Sequence, residues 1–368
     1  MDAYKIGDYE KFDRLKTRKI QENLIDWYKK NHRKLPWRET KNPYYIWISE
    51  VMLQQTRVDT VIPYFLRFID KFSNIESLSN ADEEVVLKMW EGLGYYSRAR
   101  NLHRGAKVII KEYDGKMPDT LKEIKKIPGI GPYTAGAILS IAYNEAVPAV
   151  DGNVMRVFSR LFYIKEDIGE NNTKKEMEKI GQMVVSKENP SFFNQGLMEL
   201  GALICTPTSP KCVACPLFME CTGRKLMIQE TLPIKKKKIK VKLVEMELAV
   251  VYKDEKILIM KRPTEGLLAN LWALPSIERE KNMEEGESIR LELEENYGMT
   301  IKNKKYLFEK QHIFTHRKWK MKVYSFELIR DEKIDYPEIQ WISLQEIKKY
   351  AFPTAFMKVL KNVKKQEK

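Results

Sequence analysis

All four cysteines of this 368-residue chain lie between residues 205 and 221, with the spacing C-x6-C-x2-C-x5-C. A disulfide scaffold distributes its cysteines through a chain, whereas one compact set is typical of a metal centre in a reducing compartment. Four thiolates can enclose a tetrahedral zinc ion or hold a 4Fe–4S cluster, and the spacing alone leaves both open. Four protein ligands leave no position for a substrate, so the predicted role is structural. The predicted ligands are Cys205, Cys212, Cys215 and Cys221.

The pattern of apolar residues changes after the cysteines. Residues 1 to about 20 are polar and are predicted to be a frayed lead-in, and helical periodicity then continues to about residue 204. The clearest predicted helices are 48–69, with a break at Pro63, then 82–90 and the small-residue segment 133–143. Strand-like runs follow at 246–252, 256–260 and 321–328, with one helical stretch at 284–297.

Between the two patterns, residues 229–243 contain six lysines from position 235 to 242 and are predicted to be an exposed basic linker. The predicted domains are therefore 1–228, a linker 229–243 and an α+β domain 244–368.

Charge indicates a polyanionic partner, because 65 Lys and Arg against 51 Asp and Glu leave a net +14. Charge does not decide between nucleic acid and an acidic membrane face. The longest mainly apolar stretch, Tyr133 to Tyr143, is far shorter than the ~20 residues of a membrane helix. The N-terminus lacks the apolar core of a signal peptide. A location in the cytoplasm and a monomeric state are the expectations.

Two short motifs precede the cysteines. In Ile127-Pro-Gly129-Ile-Gly131, the glycines allow close approach of the backbone and leave N–H groups free for a phosphate. A plain helix–helix turn is the alternative. Twenty residues later stands Asp151-Gly-Asn153, which in isolation is most simply a helix cap.

Taken together, the hairpin, the later aspartate and the cysteine loop resemble the helix–hairpin–helix DNA glycosylases of the endonuclease III and MutY type. The resemblance covers about residues 22–225 and implies a 4Fe–4S cluster rather than zinc. It also implies a catalytic role for Asp151 and a phosphate-binding role for Gly129 and Gly131.

Tyr133 distinguishes between the two types. Endonuclease III-like enzymes carry a lysine there, whose amine forms a Schiff base that leads to strand cleavage. Tyrosine forms no imine, and Met155 offers no amine either. The sequence therefore resembles a monofunctional enzyme that uses water as its nucleophile.

The segment Trp47–Thr56 (WISEVMLQQT) is the most specific match to MutY, and the segments 35–38 and 92–100 match as well. The resemblance makes Glu50 the essential acid. Adenine leaves as a neutral base when N7 is protonated, and burial can keep a carboxylic acid protonated near neutral pH. An ionised Asp151 would then stabilise the oxocarbenium-like sugar.

Other roles are also implied by the resemblance. Tyr133 and Asn153 would orient the two carboxyl groups, Arg38 and Leu53 would line the adenine pocket, and Gln55 and Tyr95 would enter the duplex beside the lesion. Thr56 is expected among the DNA-binding residues.

Residues of about 244–362 resemble, more weakly, the Nudix-like lesion-reading domain of MutY. The metal-binding box of a working Nudix hydrolase is broken, since Leu291 stands at the required arginine and Asn296 at a required glutamate. The segment 311–317 resembles the loop that senses 8-oxoguanine, with Phe314, Thr315 and His316 as the implied readers. Thr315 stands where a serine is usual. An ordinary β-hairpin with surface histidines is the alternative.

The resulting expectation is a mainly α helix–hairpin–helix catalytic region of two helical lobes plus a cluster loop, joined to an α+β Nudix-like domain. The implied activity is removal of adenine paired with 8-oxoguanine, or with guanine, from double-stranded DNA by a monomeric, nucleoid-associated bacterial enzyme. An endonuclease III-like glycosylase-lyase acting on oxidised pyrimidines, a non-catalytic DNA-binding relative and a Nudix hydrolase are the rivals.

Overall fold

The computed structural model describes residues 14–236, 241–331 and 338–366. Contacts between residues divide these into two compact units. The helical unit contains residues 14–80 and 101–236, and the sheet unit contains 81–100, 241–331 and 338–366. Residues 81–100, which the sequence placed in the catalytic domain, therefore pack with the C-terminal half.

Twelve helices precede the sheet in the described chain. In order they are α1 (Arg14–Asn31), α2 (Pro43–Leu53), α3 (Val58–Lys71), α4 (Ile75–Ser79), α5 (Glu83–Met89), α6 (Ser97–Glu112), α7 (Leu121–Ile124), α8 (Pro132–Ala142), α9 (Gly152–Phe162), α10 (Asn171–Val184), α11 (Pro190–Leu203) and α12 (Thr222–Lys225).

Two details of the predicted chain path are wrong. The break in segment 48–69 lies at residues 54–57, where Gln55 adopts a left-handed φ of 57°, and Pro63 lies inside α3. Burial of Val61, Phe65 and Phe68 on one face holds α3 together through the proline. The lead-in is already helical from Arg14, and residues 1–13 lie outside the described residues.

The predicted linker is also shorter than expected. Leu232 is buried in the helical unit, where its carbonyl accepts a hydrogen bond from Arg160 (2.9 Å). Ile234 bonds through its carbonyl to Ile168 N (3.0 Å). At the other end Lys242 begins the first strand. Lysines 237, 238 and 240 lie outside the described residues.

The core of the helical unit confirms the small-residue helix 133–143. A Cβ atom on Gly136 of α8 would stand 2.0 Å from the carbonyl oxygen of Pro148, so only glycine permits this approach. A second part of the core joins α1, α9, α10 and α11 through residues such as Leu24, Phe158 and Leu200. No helix within the described residues is long and apolar enough to cross a membrane.

The sheet unit is an α+β layered structure, as predicted. Its path runs β3-β2-β1-β6-β5, with β1 and β6 parallel and the other pairs antiparallel, while β4 pairs with β1 and β7 with β2. The elements are β1 (Lys242–Lys253), β2 (Lys256–Lys261), β3 (Trp272–Ala273), β4 (Ser276–Glu278), α13 (Glu287–Leu291), β5 (Met299–Ile313), β6 (Arg317–Asp331), β7 (Ile339–Ile342) and α14 (Thr354–Gln366).

Apolar side chains along β1 point alternately to the two faces of the sheet, and a helix covers each face. Val244, Met246 and Leu248 pack in one core with α14, whereas Ala249 and Val251 pack in another with α13. α13 continues as a π-helical turn over Glu292–Asn296.

Candidate active site

Glu50 lies on the buried side of α2 and is 5% exposed. Ile48, Val51 and Met52 beside it are buried, and the hydroxyl of Tyr133 donates a hydrogen bond to its carboxylate. Burial raises the pKa of Glu50 to about 7, and the nearby Asp151 also raises it, whereas the Tyr133 bond and Arg38 act to lower it. A carboxyl group with this pKa is half-protonated near neutral pH and is able to donate a proton.

Asp151 caps α9, and its carboxylate also lines the Glu50 pocket. One oxygen accepts a bond from Val154 N (2.8 Å), and the other accepts one from the side-chain amide of Asn153 (2.8 Å). Burial raises the pKa of Asp151, but these bonds favour the ionised form. The capping alternative and the catalytic expectation are thus compatible.

Asn153 has its side-chain orientation defined from both ends. Its amide nitrogen donates to Asp151, while its amide oxygen accepts from Arg156 (2.8 Å). Arg156 in turn donates to the carbonyl of Cys205 (2.8 Å).

One cavity of about 630 Å³ brings together most of the predicted site of the helical unit. The predicted residues that line it are Arg38, Glu50, Leu53, Gln55, Thr56, Tyr133, Asp151 and Asn153.

Sequence reasoning missed Glu199. This residue of α11 is fully buried, and it pairs with both Arg33 and Arg38 at 2.8 Å. Burial acts to raise the pKa of Glu199, but the two guanidinium groups outweigh it and lower the pKa to about 2. Arg38 therefore lines the pocket as part of a buried ion-pair cluster. An acid inside the apolar segment 197–200 was the available signal.

Gly129 and Gly131 lie outside this cavity, in the turn between α7 and α8. Gly129 adopts a φ of 82°, and an added Cβ would stand 2.8 Å from the Cβ of Asn101. Gly131 is the N-cap of α8. Both glycines are exposed, whereas Ile127 and Ile130 anchor the turn in the core, so the backbone of the turn faces solvent.

The remaining predicted DNA-binding residues lie in the sheet unit. Tyr95, Phe314, Thr315 and His316 line one cavity of about 540 Å³, here named the reader cavity. The hydroxyls of Tyr95 and Thr315 are 3.0 Å apart and share a hydrogen bond. Tyr95 adopts a left-handed φ of 47°, which is uncommon for an aromatic residue and typical of strained functional sites.

The four cysteines form no disulfide and line one cavity of the helical unit together with Arg160 and Arg224. Arg160 donates to the Sγ of Cys205 (3.2 Å). Within the described chain, however, no three Cys, His, Asp or Glu side chains come close enough to hold a single metal ion.

The broken Nudix box lies on α13 and its π-helical continuation. Asn296, at the position of a required glutamate, donates its amide to Glu292 (2.6 Å), and Glu294 pairs with Arg290 (2.5 Å). These acids are satisfied by neighbours on their own helix.

Two family models match the chain. A family model described as the HhH-GPD superfamily base excision DNA repair protein matches residues 48–183, and a NUDIX domain model matches residues 247–362.

Curated relatives cover most of the chain. The adenine DNA glycosylase of Arabidopsis thaliana is 35% identical over 86% of this chain and 58% of its own length. That of Buchnera aphidicola subsp. Schizaphis graminum is 40% identical over 69% of this chain and 74% of its own. The Homo sapiens protein is 32% identical over 92% and 73%. The chain thus spans less than two thirds of the plant protein and about three quarters of the other two.

Solved structures match the helical part. A thermostable thymine-DNA glycosylase is 27% identical with a TM-score of 0.51, over 58% of this chain and 98% of its own. A trapped endonuclease III–DNA covalent intermediate is 25% identical with a TM-score of 0.51, over 59% and 99%. The identity to whole relatives, the two family models and the shared fold agree, and the chain belongs to the adenine DNA glycosylase family of base excision repair enzymes.

Proposed function

We propose that this enzyme removes adenine opposite 8-oxoguanine from duplex DNA by hydrolysis, without cleaving the strand. The observation that carries the proposal is a buried pair of carboxyl groups in one cavity, Glu50 and Asp151, of which Glu50 has its pKa raised to about 7. Family membership and the matching endonuclease III–DNA complex support DNA as the ligand.

Glu50 is the proton donor. A flipped adenine enters the 630 Å³ cavity, and the Glu50 carboxylic acid protonates N7 so that the base leaves as a neutral molecule. Tyr133 holds the Glu50 carboxyl group through its hydroxyl. As the glycosidic bond breaks, the ionised Asp151, held by Asn153 and Val154 N, stabilises the positive charge that develops on the sugar.

Water is the final nucleophile because the cavity offers no suitable amine. Its described lining contains no lysine, and its two arginines are paired with Glu199. Arginine also stays protonated at physiological pH. No side chain in the described lining of the cavity is able to form a Schiff base with the sugar, and lyase activity requires one.

The test uses a duplex with a single adenine opposite 8-oxoguanine, and each product is divided before analysis. Strand cleavage only after hot alkali is expected. Cleavage without alkali, or imine trapping with borohydride, would instead support the lyase rival. Retained DNA binding without base release would support the non-catalytic rival.

Recognition of 8-oxoguanine is assigned to the reader cavity, because Tyr95, Phe314, Thr315 and His316 all line it. Thr315 keeps the hydroxyl of the usual serine but adds a methyl group. We expect Thr315→Val to reduce the preference for 8-oxoguanine over guanine while base release from an adenine–guanine pair changes little. An equal loss on both substrates would contradict this assignment.

The cysteine loop fits a 4Fe–4S cluster better than zinc. A zinc ion draws its four sulfurs to about 2.3 Å from one centre, whereas a cluster binds each cysteine through a different iron, so the sulfurs stand farther apart. The four thiols share one cavity but do not converge on a single-ion site within the described residues. Cys205, Cys212, Cys215 and Cys221 would hold the cluster, which would cross-link this loop.

The oligomeric state and the location of the enzyme complete the proposal. The proposed enzyme is a monomer that works on DNA in the cytoplasm, and the separate apolar core of each unit supports the monomeric state. Gel filtration of the holoenzyme with light scattering would test the monomer, which has an expected mass of 43.4 kDa.

A further inference from the structure

Five lysines line one groove of about 480 Å³ in the sheet unit, here named the lysine groove. Lys310 comes from β5, and the other four, together with Asn362, come from α14. The α14 lysines are Lys358, Lys361, Lys364 and Lys365. Among the residues that the structure describes, this lining contains no acid.

The amphipathic pattern of α14 explains the arrangement. Phe356, Val359 and Leu360 are buried against the sheet, and Lys358, Lys361 and Lys365 are exposed at i, i+3 and i+7 spacing on one helix face. A rise of 1.5 Å per residue spreads these three cations over about 10 Å, which is close to the axial length of about 10 Å that four successive phosphates of one DNA strand cover at ~3.4 Å each.

Nearby acids do not neutralise this face. Glu309, the acid next to Lys310 on β5, pairs with Lys320 (3.5 Å). In the described part of the chain none of the five groove lysines forms an ion pair. Unpaired cations held close together repel one another, and binding of a polyanion relieves this repulsion.

The lysine groove and the reader cavity are lined from the same two elements, β5 and α14. Thr354, the first residue of α14, lines the reader cavity, and Lys358 follows one turn later. His312 also lines the reader cavity, two residues after Lys310 on β5. Burial and the charge of Lys358 both lower the pKa of His312, so this cation acts at the edge of the cavity.

We propose that the lysine groove binds the phosphate backbone of duplex DNA that flanks the lesion held at the reader cavity. The inference rests on the proposed function in taking duplex DNA as the substrate and the reader cavity as the place that holds the lesion. The groove contributes affinity and orientation and no sequence readout, because phosphate contacts are the same for every sequence.

The test compares full-length wild type with a triple variant, Lys358→Gln, Lys361→Gln and Lys365→Gln. A control triple, Lys256→Gln, Lys281→Gln and Lys348→Gln, removes equal charge from exposed lysines of the same unit. Affinity is measured across a salt series for a duplex with 2′-fluoro-2′-deoxyadenosine opposite 8-oxoguanine, since the fluorine suppresses bond cleavage. Each lost phosphate contact reduces the slope of log affinity against log salt by about 0.9, so the groove triple should lose about 2.7. Wild type should then lose about 40-fold more affinity than the groove triple between 50 and 200 mM salt.

Amine acetylation followed by mass spectrometry gives a second readout on the wild-type protein. Duplex DNA should protect Lys358, Lys361 and Lys365 and leave the three control lysines reactive. An unchanged salt slope together with no protection would overturn the proposal. Protection by anionic phospholipid vesicles but not by duplex would overturn it in favour of a membrane surface.

Measuring base release distinguishes failure of this proposal from failure of the proposed function. Under single-turnover conditions with sub-saturating enzyme at 200 mM salt, the groove triple should release adenine more slowly than wild type, whereas the control triple should match wild type. If wild type itself releases no adenine yet the groove triple shows the reduced slope, the proposed function fails while the groove stands.

Discussion

Glu50 in the helical unit and the acids of the broken Nudix box in the sheet unit are the same kind of residue on the same kind of element. Glu50 is 5% exposed among apolar side chains, and burial raises its pKa to about 7. The side chain of Glu294 is 30% exposed beside Arg290, and Glu295 is exposed. The surroundings of a carboxyl group, and not the number of acids, decide whether it can act as an acid near neutral pH.

A Nudix metal site would need the opposite of what Glu50 needs, because its carboxyl groups must be ionised. Nudix chemistry needs several ionised carboxylates around one cation, and in the described chain no three such groups converge. Asn296 replaces one of them and bonds to Glu292. This unit has kept the Nudix fold, and the residues predicted to read the lesion lie at its reader cavity instead.

The largest expected effect is a loss of activity, which should follow a change in the helical unit and not the matched change in the sheet unit. Glu50→Gln keeps the size of the side chain but removes the acidic proton, so single-turnover base release should fall by about 10³-fold. Glu295→Gln, the matched change in the sheet unit, should leave the rate unchanged. Quenched single-turnover assays on the adenine–8-oxoguanine duplex measure both, and a loss below tenfold in Glu50→Gln would contradict the assigned role.

Glu199→Gln should show the next largest effect, this time on stability. The change leaves Arg33 and Arg38 without their buried counter-ion and should cost about 3 kcal/mol. Glu294→Gln breaks a surface pair and should cost less than about 1 kcal/mol. Denaturation followed by circular dichroism would compare them, and equal losses would mean that burial of the cluster is irrelevant.

Glu50 should itself destabilise the protein at high pH. Its pKa is higher when folded than its ordinary 4.5, so the folded state binds the proton more tightly. The free energy of unfolding therefore falls as pH rises from about 4.5 to about 7 and stays lower above that. Glu50→Gln should gain about 2–3 kcal/mol over wild type at pH ~8 and almost nothing below pH ~4.5. A gain that does not depend on pH would argue against a buried, titrating carboxyl group.

The smallest effect concerns the pH profile. Wild-type base release should decline above pH ~7 as Glu50 loses its proton. The Tyr133 bond lowers the pKa of Glu50, so Tyr133→Phe should move this alkaline limb upward by up to about one pH unit. Tyr113→Phe removes a hydroxyl that bonds to Glu123, outside the cavity, and should not move it. A downward shift in Tyr133→Phe would reverse the assigned role of that bond.

The sequence was informative wherever the signal was local. Glu50, Tyr133, Asp151 and Asn153 belong to short motifs, and all four line one cavity. The alternation of the strands and the glycine turn before α8 were readable for the same reason.

Contacts between residues far apart in the sequence could not be predicted from it. Glu199 contacts arginines 166 and 161 positions away, which no local pattern reports. Residues 81–100 join the sheet unit through contacts such as Lys88 Nζ to Tyr350 O (2.9 Å), and these depend on the folded path of the whole chain.

A direct titration of the Glu50 carboxyl group tests the central claim. Infrared difference spectra of wild type against Glu50→Gln, with carbon-13 in the glutamate carboxyls, would isolate the band of the protonated acid. We predict that this band disappears with a midpoint near pH 7 and that Glu295→Gln leaves it unchanged. A midpoint at or below the ordinary value of 4.5 would show that Glu50 is ionised when the enzyme works, and would contradict its role as the proton donor.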